Sequence, residues 1–404
     1  MAMRYEGGVI SATAPTITAP VVGEGGSASG FWTLETQLQN SAIWPKPPSP
    51  KALYSWGAGN QGQLGHNAVG SLNSPVQVGA LTTWSQIAGG TNFSLAIKTD
   101  GTMWSWGSNS SGGRLGQNDV IDRSSPVQIG ALTTWSQIAN GNNFNLAIKT
   151  DGALWSWGYN SSGQLGFNTS GYARSSPVQV GALTTWSQIS AGRNHSLAIK
   201  TDGTLWSWGA GGNGQLGHNN GSALNSPVQV GALTTWSKIA GGDQFSLAIK
   251  TDGTMWSWGY NSSGQLGLDD TYSRSSPVQI GALTTWSQIA AGQNFSRAIK
   301  TDGTMWSWGY NNNGQLGLNN VVSRSSPVQV GALTTWYQIA AGSEFNLAIK
   351  TDGTLWSWGQ GGEGKLGHNN NTFRSSPVQV GALTTWSRLP KMPTATHSLA
   401  LSNS

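Results

Sequence analysis

Five histidines and one adjacent pair of carboxylates are the side chains in this sequence best suited to catalysis or metal binding, and their spacing argues against both. His66, His195, His218, His368 and His397 are scattered singly, with no neighbour at metal-ligand spacing and no cysteine to complete a zinc set. His195 and His397 stand where other copies of a repeat carry phenylalanine, which predicts packed structural histidines. Asp269-Asp270 lies in one variable stretch and lacks the recurring carboxylate partner that a glycosidase pair or a calcium loop requires. No glycine loop leads from a strand into a helix to cradle phosphate. The expectation is a protein that is not an enzyme and takes no metal and no cofactor.

A repeat positions all of these residues. Ser-Trp-Gly recurs with tryptophans at Trp56, Trp106, Trp157, Trp208, Trp258, Trp308 and Trp358, at intervals of 50 or 51 residues, and Leu-Thr-Thr-Trp keeps step from Trp84 to Trp386. A fixed period of this length marks a repeat array, most often a propeller. Within a unit the pattern predicts four strands, centred in the fourth copy on Leu205 to Trp208, Val228 to Val230, Trp236 to Ala240 and Phe245 to Ile249. Large and small side chains alternate in Phe-Ser-Leu-Ala-Ile and Trp-Ser-Trp-Gly, as expected of strands buried on both faces. A buried aromatic hides roughly 150–250 Å², worth about 4–6 kcal/mol gross at about 25 cal/mol/Å², so the tryptophans are expected to hold the blades together.

The array opens in mid-unit at Ala52-Leu53-Tyr54-Ser55-Trp56-Gly57 and closes in mid-unit at His397-Ser398-Leu399-Ala400-Leu401. In six internal copies these halves are joined by Thr-Asp-Gly, a tight hairpin signal. A seventh hairpin forms only if the two ends pair, which closes a ring and removes the exposed edges of an open array. The predicted fold class is all-β: a seven-bladed β-propeller over residues 51–404, with four-stranded blades of about 50 residues closed by N- and C-terminal strands and preceded by an extended arm over residues 1–50.

The formal net charge of +5 does not mark a nucleic-acid surface. Lys98, Lys149, Lys200, Lys250, Lys300 and Lys350 each lie two residues from an aspartate in Lys-Thr-Asp-Gly, leaving that turn locally neutral. The excess comes largely from Arg123, Arg174, Arg274, Arg324 and Arg374 in Arg-Ser-Ser-Pro, a sparse ring where a phosphate-tracking surface needs a cluster. These arginines are expected to tie their loops to backbone carbonyls, with an anion or an acidic partner as the alternative. No stretch suits a signal peptide or a membrane span, and neither nucleic acid nor membrane insertion is expected.

The succession Gly-Gln-Leu-Gly, Ser-Ser-Pro-Val-Gln-Val, Trp-Ser-Gln-Ile-Ala-Ala-Gly and Ser-Leu-Ala-Ile-Lys-Thr-Asp-Gly-Thr-Leu-Trp-Ser-Trp-Gly resembles the repeat of the regulator of chromosome condensation family. The likeness covers residues 52 to 401. It implies a seven-bladed propeller whose last blade uses both chain ends, and it maps the family's turn glycines in the fourth copy onto Gly209, Gly214 and Gly217. Members exchange nucleotide on a small GTPase, serve in ubiquitin ligases or sense ultraviolet-B light. Neither the exchange factor's long loops nor the photoreceptor's charged dimer face has a counterpart here, and fold alone does not carry function.

Variation between the units falls in two places. One is the tract after Trp-Gly; the other is the short link before the Phe/His strand, such as Thr91-Asn92, Arg193-Asn194, Asp243-Gln244 and Ser343-Glu344. Varied loops on a constant scaffold suggest a displayed binding surface, against unconstrained drift as the alternative. Tyr159, Asn160, Phe167, Tyr260, Asn261, Leu268, Tyr310, Asn311, Leu318 and His368 are the candidate display residues.

The first fifty residues differ in composition. Glycine, alanine, threonine and proline dominate Gly7 to Gly30, too poor in large apolar side chains to build a core. Then come Ser-Gly-Phe31-Trp32-Thr-Leu34, a two-turn helical pattern through Leu38, and Trp44-Pro45. This leader resembles short N-terminal docking tracts of tailed-bacteriophage structural proteins. That likeness implies a virion protein, present in many copies, anchored to tail, fibre or capsid through Phe31, Trp32, Leu34, Leu38 and Trp44. Its partners would be other virion proteins and a host surface glycan or protein. The alternative is an intracellular protein-interaction scaffold.

Overall fold

The computed structural model describes residues 49–404, and Lys51–Ser404 makes up one unit of seven four-stranded antiparallel sheets. The expected arm, with Phe31, Trp32, Leu34, Leu38 and Trp44, lies outside the described residues. In a representative blade the strands run Trp186–Ala191, His195–Lys200, Leu205–Gly209 and Leu224–Gln229, from the inner edge outward. This corrects the expected grouping, because Leu205–Gly209 and Trp236–Gly241 belong to neighbouring sheets. The link and the Asp-Gly turn each join strands within a sheet, whereas Gly-Ala-Leu-Thr-Thr carries the chain from one blade's outer strand to the next blade's inner strand. Pro227 in the outer strand fits an edge, where no ladder donor is needed.

The Asp-Gly hairpin is over-determined. Gly101 has φ +76°, and a Cβ there would lie 2.1 Å from the Thr133 carbonyl oxygen, so only glycine fits. Asp100 Oδ1 accepts from Thr102 N at 2.9 Å and Oγ1 at 2.7 Å, while Trp104 Nε1 donates to Thr102 Oγ1 at 2.9 Å. The neighbouring lysine does not pair with that aspartate. Its ammonium lies 3.6 Å from the Trp104 ring centre and 5.3 Å from that of Trp84, a cation–π arrangement repeated at Lys149, Lys200, Lys250, Lys300 and Lys350.

Closure is as the split hairpin implied. Lys51–Gly57 pairs antiparallel with His397–Asn403 in unbroken register, from Lys51 opposite Asn403 to Gly57 opposite His397. The Ser-Trp-Gly tryptophans are fully buried, and each indole reaches the preceding unit. Trp106 Nε1 donates to Gln63 O at 2.8 Å, Trp258 Nε1 to Gln215 O at 2.8 Å and, across the seam, Trp56 Nε1 to Lys365 O at 3.0 Å.

A second set of bonds circles the inner strands. Gln137 Nε2 donates to Ser187 O at 2.6 Å, Gln188 to Ser237 O at 2.6 Å, Gln288 to Tyr337 O at 2.5 Å and Gln338 to Ser387 O at 3.0 Å. Gln86 and Lys238 make the same contact to Ser136 O and Ser287 O, and Arg388 Nη1 completes the belt on Ser85 O at 2.8 Å. Every donor serves the next blade.

The last inner strand is short, Trp386–Arg388, and the following Leu389-Pro390-Lys391-Met392-Pro393 turns into the central channel. Met392 is buried there, and Lys391 Nζ reaches across to donate to Ile189 O at 2.8 Å.

Candidate functional site

Antiparallel order sends both variable regions to one end of the ring. The link joins inner to second strand and the Trp-Gly tract joins third to outer, so both emerge together, while the Asp-Gly hairpins and Gly-Ala-Leu-Thr-Thr connections share the opposite end. Hydrogen bonds tie the two variable loops: Tyr159 N donates to Asn143 O at 2.8 Å, Tyr260 N to Gln244 O at 2.9 Å and Tyr310 N to Asn294 O at 2.8 Å. The opposite end is nearly identical in every unit, and it repeats one half-exposed leucine from Leu81 to Leu383.

Several candidate display residues face inward. Asn160, Asn261 and Asn311 are 1%, 0% and 0% exposed. Asn261 Nδ2 donates to Asp270 O and Tyr272 O at 3.1 Å each, and its Oδ1 accepts from Leu266 N at 2.8 Å. Asn311 makes the same set with Asn320 O, Val322 O and Leu316 N, and Asn160 holds Thr169 O and Leu165 N. Their amides satisfy backbone groups inside the loop, so they clamp the surface and are not displayed on it. Phe167, Leu268 and Leu318 are half-buried and pack on the hydrophobic core. His368 is half-buried too, its Nε2 2.9 Å from Ser357 Oγ. Tyr260 and Tyr310 are half-buried, and Tyr159 is exposed.

The residues that do project lie later in the same tracts. Tyr172 and Tyr272 are 70% and 73% exposed, and Val69, Val120, Ile121, Val321, Val322 and Phe373 are also exposed. All lie within three residues of an outer strand, forming an apolar crown on the variable end. Two anchors fix the backbone beneath it. The buried asparagine binds the Tyr272 or Val322 carbonyl, and the Arg-Ser-Ser-Pro arginine binds from the other side: Arg274 Nη1 to Tyr272 O and Arg123 Nη1 to Ile121 O, both at 2.8 Å. Arg274 also pairs with Asp270 at 2.5 Å and Arg123 with Asp119 at 2.6 Å. Arg174 and Arg324 bond the carbonyls of Ala173 and Ser323 at 3.3 Å, so four of the five arginines tie their own loops as expected, whereas Arg374 keeps a buried Nε without a partner. The crown was missed because its members differ in type, although an apolar residue recurring inside polar tracts was the available signal.

The histidines in the phenylalanine position are structural. His195 and His397 are fully buried, with Nε2 3.1 Å from Ser246 Oγ and 2.7 Å from Ser94 Oγ. Desolvation pulls their pKa values down to about 4 and about 3. Among the described residues no group of three or more His, Cys, Asp or Glu could hold a metal ion, and no helix is long and apolar enough to cross a membrane.

With this geometry in hand, comparison with known proteins is direct. Human E3 ubiquitin-protein ligase HERC2 is 32% identical over 178 residues, covering 41% of this chain and 4% of its own length. The ultraviolet-B receptor UVR8 of Arabidopsis thaliana is 34% identical over 171 residues, covering 40% of this chain and 38% of its own. The chain therefore spans well under half the length of these relatives. Among solved structures, Prp20p of Saccharomyces cerevisiae superposes with a TM-score of 0.78 at 22% identity, covering 88% of this chain and 92% of that one. Human WBSCR16 does so with a TM-score of 0.78 at 21% identity, covering 88% and 99%. These two likenesses speak for the fold alone. The profile of the RCC1-like domain matches residues 51–399, nearly the whole ring, and the chain belongs to that family.

Proposed function

We propose that the chain is a binding ring without catalysis of its own, and that a protein partner docks on its variable end. The crown carries this reading: Tyr172, Tyr272, Phe373 and their counterparts are exposed and differ from blade to blade, and the backbone is clamped beneath the tips at Ile121, Tyr272 and Val322. Holding apolar tips in place beforehand lowers the ordering cost of association, and aromatic side chains are frequent interface anchors. Prp20p is described by its binding to Gsp1p and histones; what carries over is the kind of partner, another macromolecule. This is the interaction-scaffold reading. A photo-crosslinking residue in place of Tyr272, with Leu283 at the opposite end as control, tests it in native extract or particles. Adducts from position 272 that Tyr172→Ser and Phe373→Ser diminish are expected; adducts from position 283 alone would overturn the reading.

The leader favours one setting for such a ring, and we propose it as a second reading: display on a tailed-phage virion. It rests on the resemblance of residues 1–50 to virion docking tracts, whereas membership of the RCC1-like family favours the scaffold reading. Cryo-electron microscopy of intact particles separates the two. Residues 1–50 held between virion proteins with the variable end outward would support display, and particles lacking the ring would sink it.

A further inference from the structure

The belt of inner-strand donors is glutamine in five blades, and its two departures are cations: Lys238 and Arg388. Two further departures lie close by. Tyr337 replaces the serine found in the other six copies, and the longer last unit inserts Lys391. Lys238, Tyr337 and Lys391 line one cavity of about 460 Å³ at the channel mouth, beside Gln188, Gln288 and Gln338. Arg388 adjoins it, close enough to Tyr337 and Lys51 to couple with both electrostatically.

No carboxylate lines this cavity. Leu389 to Lys391 form part of its wall, and the space beyond them, around Met392 and Pro393, narrows to about 50 Å³. Its strand walls are the second to fourth residues of the inner strands, the half nearer the constant end and away from the crown. Lys391 is exposed to the cavity, and desolvation by the ring around it pulls its ammonium down to about 8. Lys238 is lowered for the same reason. An anion in the cavity would relieve both.

We propose that the channel mouth binds a small multivalent oxyanion, a phosphate ester or a polycarboxylate, between Lys238 and Lys391, with the Tyr337 hydroxyl as a further donor. Each ammonium spends one proton on a carbonyl and keeps two for a ligand. A concave wall of one sign concentrates the field on such an ion, and the volume is that of a small-ligand site.

The inference stands apart from the crown and is tested separately. Calorimetric titration of the full chain with inorganic phosphate and with citrate should show saturable one-to-one binding, and the tighter of the two identifies the class. Lys238→Gln restores the belt residue of five other blades, so folding is preserved, and it should weaken binding about tenfold, the loss of one charged hydrogen bond; Tyr337→Ser restores the serine of the other six copies and should weaken binding as well. Arg274→Gln at the rim should leave affinity unchanged. Absence of saturable binding for both anions, or affinity in Lys238→Gln equal to that of the parent chain, overturns the proposal.

Discussion

Acid should unfold this ring early, and the two fully buried histidines contribute a share that can be isolated, beside the smaller lowering by desolvation at His66, His218 and His368. Their folded pKa values are about 4 and about 3, below the ordinary 6.5. As pH falls below 6.5 the unfolded chain takes up two protons that the folded chain refuses, so stability falls with pH until each folded pKa is reached. For two such groups, linkage gives a loss of about 4 kcal/mol between pH 7 and pH 5, a large part of a typical domain's stability. Neighbouring blades supply the control. Phenylalanine fills this position at Phe93, Phe144, Phe245, Phe295 and Phe345, and His195 and His397 each carry an Nδ1 without a partner. The double variant His195→Phe/His397→Phe should fold, and urea denaturation at the two pH values should show the acid loss reduced by about 4 kcal/mol. Asp100, Asp202, Asp252, Asp302 and Asp352 of the hairpin turns do not confuse the window, because their pKa values are lowered from 3.8, chiefly by hydrogen bonds to threonine. An acid loss as large in the double variant as in the parent would refute the reasoning.

Three further outcomes are expected. Ala153 stands where five other hairpins have threonine, and Trp155 Nε1 is buried without a partner, so Ala153→Thr should add about 1 kcal/mol in urea denaturation; no gain would show that the turn geometry does not transfer. Arg297 is fully buried where the other blades have leucine, with bonds to Asn346 Oδ1 and Gln315 O and no carboxylate partner. Arg297→Leu with Asn346→Ser, the serine that most other blades carry there, should therefore stabilise the ring by about 1–4 kcal/mol, and a lower melting temperature would contradict this. Deleting residues 397–404 strips the partner strand from Lys51–Gly57 and should lower the melting transition of the whole ring; an unchanged transition would show that closure contributes nothing.

The features legible in the sequence were those written locally. Asp-Gly between alternating runs gave the hairpins, and Ala52–Gly57 facing His397–Leu401 gave the seam. Others depended on how distant segments meet. Lys98 finds Trp104 and Trp84 only across paired strands. Asn261 looked like a displayed amide because it lies in a variable polar tract, yet the tract curls back over it and buries it. The channel plug did leave a local trace that went unread: Trp386 and His397 are two residues farther apart than Trp336 and Phe345, with prolines between.

The seam also decides how the ring bears tension. Lys51 and Asn403 lie opposite each other at one end of the paired strands, and Gly57 and His397 at the other. A pull applied to both chain ends therefore loads the seven pairs one after another, as a zipper opens, and needs little force. A pull between the N-terminal side and the variable loops bypasses that opening: it enters along Lys51–Gly57 and spreads into a sheet bonded on both flanks of that strand. A ring tethered by one end and loaded through its crown is held in shear, the stronger direction.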